Sequence, residues 1–209
     1  MSTPLNPLAV VTGASGGIGL ELAHQLAENG FDLVVSAEDD GLPLAADALR
    51  ASNVAVEAVR GDLSRPERVE QLVGRVTMTG RPVEALVVNT GGAVPGPFVA
   101  ESTLDEQLTA VDLNVRSAVH LTKRLVPTMT ARGSGRVLFT SSIAAGPFRT
   151  VGNAATAFLR AFAESLREEL WDSGVTVTAL IPETDDPEAV AKQGYEAMMA
   201  DEKVAGSVE

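Results

Sequence analysis

The sequence predicts an α/β protein, one three-layer domain built on a doubly wound parallel sheet with helices on both faces. Three observations predict it: short β-branched runs alternate with stretches of helical period, the runs are apolar on both faces, and no linker interrupts the alternation. The first run, residues 8–11, leads through a glycine-rich turn into a helix over 17–28, where Leu20, Leu22, Ala23, Leu26 and Ala27 recur at helical spacing. Asn29-Gly30 closes that helix. A strand over 32–36 precedes a helix over 42–51, and a strand over 54–59 precedes a helix over 66–77 that Ser64-Arg65-Pro66-Glu67 opens. The fourth strand, 85–89, is followed by one long helix over 104–131, and the fifth, 136–140, by a helix over 153–171. A sixth strand, 175–181, and a helix over 187–200, with Asp186 as its cap and Pro187 in its first turn, complete a unit spanning 1–200. The polar residues 201–209 are expected to fray.

Composition removes whole classes of function. Sixteen Lys and Arg against 28 Asp and Glu give a formal charge of −12, which makes a nucleic-acid backbone or an anionic membrane surface a poor partner. With no Cys and only His24 and His120, thiolate zinc sites, disulfides, cysteine nucleophiles and His-rich metal clusters are excluded. A cysteine-free chain suits the reducing cytoplasm. No apolar run reaches the ~18 residues of a membrane span, and the N-terminus lacks the basic start and apolar core of a leader.

Thr12-Gly13-Ala14-Ser15-Gly16-Gly17-Ile18-Gly19 stands between the first strand and the first helix. Glycines there let the backbone turn tightly and approach a pyrophosphate, and the free amides and positive end of the helix attract its charge. Ser15 adds a hydroxyl donor. A strand, glycine loop and helix in this order are the phosphate grip of a Rossmann-type dinucleotide fold.

With its pattern T-G-x-x-x-G-x-G, met by Thr12, Gly13, Gly17 and Gly19, the chain resembles the short-chain dehydrogenase/reductase family. Further matches run in order as far as Pro182: Gly61-Asp62-Leu63, Val88-Asn89-Thr90-Gly91, Asn114 in Leu113-Asn114-Val115, and Ser142 in Ser141-Ser142-Ile143. The resemblance implies cofactor contacts from Gly13, Ser15, Gly17, Ile18, Gly19, Asp62, Leu63, Asn89, Gly91 and Pro182, and catalytic roles for Ser142 and Asn114. From the residues alone, Asp62 also reads as a turn or cap residue before Pro66, and Asn89 as a turn former. The second strand ends in Ala37-Glu38-Asp39-Asp40, where an acid, with Glu38 the candidate, accepts from ribose hydroxyls and repels a 2′-phosphate. No Arg or Lys stands in the glycine loop or directly after that strand, so NAD is expected over NADP.

Two departures stand against the resemblance. The family's acid/base tyrosine, with a lysine four residues on, should follow Ser142. Counting from Ser142 places them at Ala155 and Leu159; aligning on the next helix places them at Gly152 and Thr156. Between 142 and 171 there is no Tyr or Lys; the single Tyr is Tyr195, expected to pack on the last helix, and both histidines read as ordinary helix residues. The other departure follows Ile181-Pro182, where Glu183 replaces glycine and Pro187 opens the next helix almost at once, so the substrate loop is nearly gone. The early end of the chain also puts a seventh strand in doubt. A positioned acid contributes about 10²–10⁴-fold to carbonyl reduction. The expected function is therefore an oxidoreductase of a small carbonyl or alcohol with weak or no turnover, or else a dinucleotide-binding pseudoenzyme or scaffold. A homodimer is expected through the two long helices, with Val111, Val115, Val119 and Leu121 as apolar surface.

Overall fold

The computed structural model describes residues 5–91, 96–141, 149–182 and 184–205. Strands β1 (Leu8–Thr12), β2 (Asp32–Ala37), β3 (Val56–Arg60), β4 (Val83–Thr90), β5 (Gly135–Ser141), β6 (Val175–Leu180) and β7 (Val204–Ala205) form one sheet in the order β3-β2-β1-β4-β5-β6-β7. All neighbours are parallel. The chain winds outward from β1 to β3, crosses to β4 and winds the other way, so a crevice opens between the carboxyl ends of β1 and β4. The helices are α1 (Gly17–Glu28), α2 (Leu42–Arg50), α3 (Pro66–Met78), α4 (Leu104–Val111), α5 (Ser117–Arg132), α6 (Thr150–Glu169) and α7 (Pro187–Met199).

Alternate residues of each central strand feed two cores. Val11, Leu33, Val35 and Val87 pack with Leu22 and Leu26 of α1, Leu49 of α2 and Met198 of α7. On the opposite face Val10, Val34, Leu86 and Phe139 pack with Leu72 of α3, Leu121 and Met129 of α5 and Leu159 of α6. Every residue of β1 and β2 is buried, as two covered faces require. At the amino end of the sheet the buried carboxylate of Asp32 accepts from Arg81 (2.8 Å), the Ala55 amide (2.9 Å) and Asn6 (3.0 Å), tying the incoming chain to β2 and to the turn before β4. Among the described residues no helix is long and apolar enough to cross a membrane.

Three expectations need correction. The single helix over 104–131 is interrupted by a π turn at Asp112–Arg116, with Asn114 buried inside it; one extra residue is accommodated where the asparagine amide donates to the Ala110 carbonyl at 2.8 Å. The polar tail is not wholly frayed: β7 extends the sheet, with the Ile181 amide donating to Ala205 O at 2.8 Å and the Thr178 hydroxyl to Glu202 O at 2.7 Å. Arg167 of α6 braces this corner, donating to Val177 O at 2.8 Å and Asp201 O at 2.9 Å. Leu121, expected on an oligomer surface, is fully buried in its own core, whereas Val111 and Val119 remain exposed.

Candidate functional site

A cleft of about 490 Å³ lies over the carboxyl ends of the strands. Its floor is the β1–α1 turn. Gly13 has φ +63, and a Cβ on Gly19 would stand 2.1 Å from the Gly13 carbonyl oxygen and 2.5 Å from Asn89 Nδ2, so the loop closes only with glycine at 19. The Thr12 hydroxyl donates to Asn89 O (2.9 Å) and accepts from the Asn89 amide (3.1 Å), clasping the ends of β1 and β4 across the switch point. The Asn89 side chain donates to Gly13 O at 3.3 Å, so its part is to hold the loop in shape. Gly16 caps α1 without a side-chain hydrogen bond, which leaves the first-turn amides for an anionic ligand. A turn with no room for a Cβ at Gly13 or Gly19, below an uncapped helix start, fits the pyrophosphate of a dinucleotide.

On the β2–β3 side the wall carries Ala37, Glu38, Asp39, Gly61 and Leu63. The structure engages Asp39 in the acidic turn: the Ser15 hydroxyl and the Gly41 amide (2.8 Å) both donate to its carboxylate. Those two bonds, Ser15's the larger, hold its carboxyl below the ordinary aspartate value. Ser15 thus links the phosphate loop to the acid beside it. Glu38 lines the cleft through an exposed side chain, and its carbonyl accepts from Arg60 Nε at 2.9 Å. Arg60 also pairs with Asp40. This cation was invisible to a reading along β2, because the parallel register sets Arg60 beside Ala37. Register was the signal that could have found it. Asp62 accepts from the Ser64 amide at 2.9 Å, in the manner of a turn residue, and stands beside the wall between Gly61 and Leu63.

At the other end the wall carries Thr90 at the end of β4 and Gly91 after it, Leu113 and Ser117 near Asn114, and Asp185 and Pro187 at the entry to α7. The cleft therefore brings together Gly13, Ser15, Gly17, Ile18, Glu38, Leu63, Asn89 and Gly91. Gly19 and Asn114 stand behind its surface, Pro182 follows β6 outside the wall, and Ser142 lies outside the described residues. Asp185, in the connection from β6 to α7, was not singled out by the sequence. In α6, Ala155 and Leu159 are buried in the core, while Gly152 and Thr156 are half-buried, so the second placement of the tyrosine and lysine positions is the one with solvent access. Thr156 donates to Gly152 O at 3.1 Å.

Tyr195 and His120 lie outside the cleft wall. Tyr195 packs against the α1–α7 core, and burial raises its hydroxyl above the ordinary tyrosine value. His120 meets Glu70 of α3 at 2.6 Å, with Arg124 on the other carboxylate oxygen at 2.9 Å. Among the described residues no group of three or more His, Asp or Glu is arranged to hold a metal.

Residues 7–196 match the sequence profile of the short chain dehydrogenase family. Ketoacyl reductase HetN of Nostoc sp. is 30% identical over 186 residues, covering 87% of this chain and 64% of that protein. Dehydrogenase/reductase SDR family member 4 of Bos taurus is 33% identical over 187 residues, covering 85% of this chain and 65% of the relative. The chain thus spans just under two thirds of these relatives. A short-chain dehydrogenase from Sphingobium yanoikuyae, solved in complex with NADPH, superposes with a TM-score of 0.85 at 28% identity over 95% of this chain and 86% of that one. The glycine loop, the clasp beneath it and the switch-point cleft are thus set in a sequence that aligns along nearly its whole length with one family, and the chain belongs to the short chain dehydrogenases.

Proposed function

We propose that this chain binds a nicotinamide dinucleotide, NAD in preference to NADP, and that its redox turnover on small carbonyls or alcohols is weak or absent. The observation that carries the reading is the contrast between the phosphate loop and α6. The phosphate loop is complete, with glycine where no Cβ fits, while α6 offers Gly152 and Thr156 and contains neither Tyr nor Lys. A bound nicotinamide gives or takes hydride; the reaction also needs a proton at the substrate oxygen, and a positioned acid is worth about 3–5 kcal/mol of barrier. Asn114 in its π turn keeps a buried amide behind the wall, but an amide is no acid in this range.

Relatives solved with NADPH include the Sphingobium protein and an L-sorbose reductase from Gluconobacter frateurii. Here Glu38 and Asp39 occupy the wall, and the neighbouring cation, Arg60, is already paired with Asp40 and the Glu38 carbonyl. That arrangement accepts ribose hydroxyls and disfavours a 2′-phosphate. Titration calorimetry with NAD and NADP tests the choice; tighter NADP binding refutes it. Saturable NADH fluorescence without NADH oxidation across a broad ketone panel is the expected outcome for the whole reading. Turnover abolished by Ser142→Ala instead establishes an active oxidoreductase.

The exposed Val111 and Val119, the half-buried Val115 and a groove lined by Val126, Phe162 and Leu166 offer a second copy of the chain an apolar face running from α4 through the π turn to α5 and α6. We read this as a homodimer surface, and sedimentation that returns a monomer removes it.

A further inference from the structure

We infer that the cleft distinguishes the redox states of its cofactor, holding the oxidised dinucleotide, whose nicotinamide ring is cationic, more tightly than the reduced one. This rests on the dinucleotide reading above and concerns the charge at the far end of the same site. A dinucleotide laid across the switch point has its adenosine over the ends of β2 and β3 and its nicotinamide toward the ends of β4, β5 and β6. Asp185, in the connection from β6 to α7, stands in the wall at that second end.

Nothing among the described wall residues offsets it. The wall contains Glu38, Asp39 and Asp185 and no Lys or Arg. Arg149 precedes α6 outside the wall, and Arg116 is paired with Asp112 at 3.1 Å. The start of α7 supplies no spare positive end either, since the Glu188 and Ala189 amides donate to Asp186 at 3.1 and 3.3 Å. The α1 amides favour the pyrophosphate equally in both redox states, because the phosphates are common to both. Only the ring charge differs, and an acidic side chain within several ångströms of it, partly screened by water, favours the cation about three- to tenfold. A chain that binds without turning over, and binds one redox form better, reads out the oxidation state of the dinucleotide pool.

The test uses the purified full chain at low salt, with NAD⁺, NADH and ADP as probes. The expected result is a Kd for NAD⁺ about three- to tenfold below that for NADH. Asp185→Asn brings the two together, Asp185→Glu keeps them apart, and added salt narrows the gap. Asp185 is exposed and lies outside the α7 cap, so these variants leave the core untouched. Equal or tighter NADH binding overturns the inference, as does a ratio that Asp185→Asn leaves unchanged. ADP binding with no redox preference removes this inference alone, whereas failure of all three probes to bind removes the dinucleotide reading itself.

Discussion

Gly19→Ala and Gly74→Ala are the same substitution in two helices, and the structure assigns them opposite signs. In a helix interior, replacing Gly by Ala yields about 0.5–1 kcal/mol from backbone propensity and a less disordered unfolded chain. Gly74 in α3 has nothing within 4 Å of the position its Cβ would take, so it keeps that gain. At Gly19 the new carbon would stand 2.1 Å from Gly13 O and 2.5 Å from Asn89 Nδ2, where ordinary contact is about 3.5 Å. The obstacle is backbone, held by the Thr12–Asn89 clasp and by a left-handed Gly13, so it yields only if the phosphate loop moves. Overpacking of this kind costs about 1–3 kcal/mol, which exceeds the propensity gain. For a chain of this length about 1 kcal/mol corresponds to about 2–4 °C in Tm. Thermal unfolding should therefore place Gly74→Ala a few degrees above the parent and Gly19→Ala below it, with NAD affinity lost by tenfold or more only in the latter. Equal stability and equal affinity in the two variants would refute the steric argument for this loop.

Three other outcomes follow from the same geometry. Asp32→Ala strands Arg81 and the Ala55 amide and should cost about 2–4 kcal/mol in denaturant unfolding. Burial works to raise the Asp32 carboxyl, but its hydrogen bonds from Ala55, Asn6 and Arg81 outweigh it and leave the value lowered; the stabilisation is thus full above the unfolded value of about 3.9 and is lost as pH falls through the folded one, an acid limb that Asp32→Asn should flatten. Ser15→Ala should let the Asp39 carboxyl titrate closer to its ordinary value, which carbon-detected NMR reads directly; an unmoved titration means the Gly41 amide alone holds it. Gly152→Tyr combined with Thr156→Lys should raise NADH-dependent ketone reduction by about 10²-fold or more, and no gain with binding intact would refute the placement of the acid and its lysine at these two positions.

The local patterns in the sequence reached six strands within a few residues of their ends, because central strands buried on both faces are uninterrupted apolar runs. β7 escaped because two residues carry no periodicity; its existence depends on pairing between Val204–Ala205 and β6, some 25 residues earlier. The π turn was foreshadowed by Asn114, a poor helix residue amid good ones, yet one inserted residue leaves the apolar spacing on either side intact. In the site, the loop was legible as consecutive chemistry, whereas the choice of Asp39 depends on an Asp-Asp-Gly turn folding back on Ser15, and Arg60 arrives from β3 and Asp185 from the connection after β6. Such residues share a wall only after the crossovers are made. Leu121 was misassigned because it stands two residues, about 200° of helical turn, from Val119 and so faces the opposite side of α5.

The two-residue β7 pairs only Ala179 and Leu180 of β6, so among the described residues no strand lies on the outer side of Val175 to Thr178. Such a rim is a template on which another polypeptide could polymerise. Arg167 places its guanidinium on the Val177 carbonyl and clamps Asp201 across the gap, working as a stopper where a longer final strand would otherwise lie. Arg167→Ala should consequently keep the fold but shorten the protein's shelf life, with light scattering that grows with concentration.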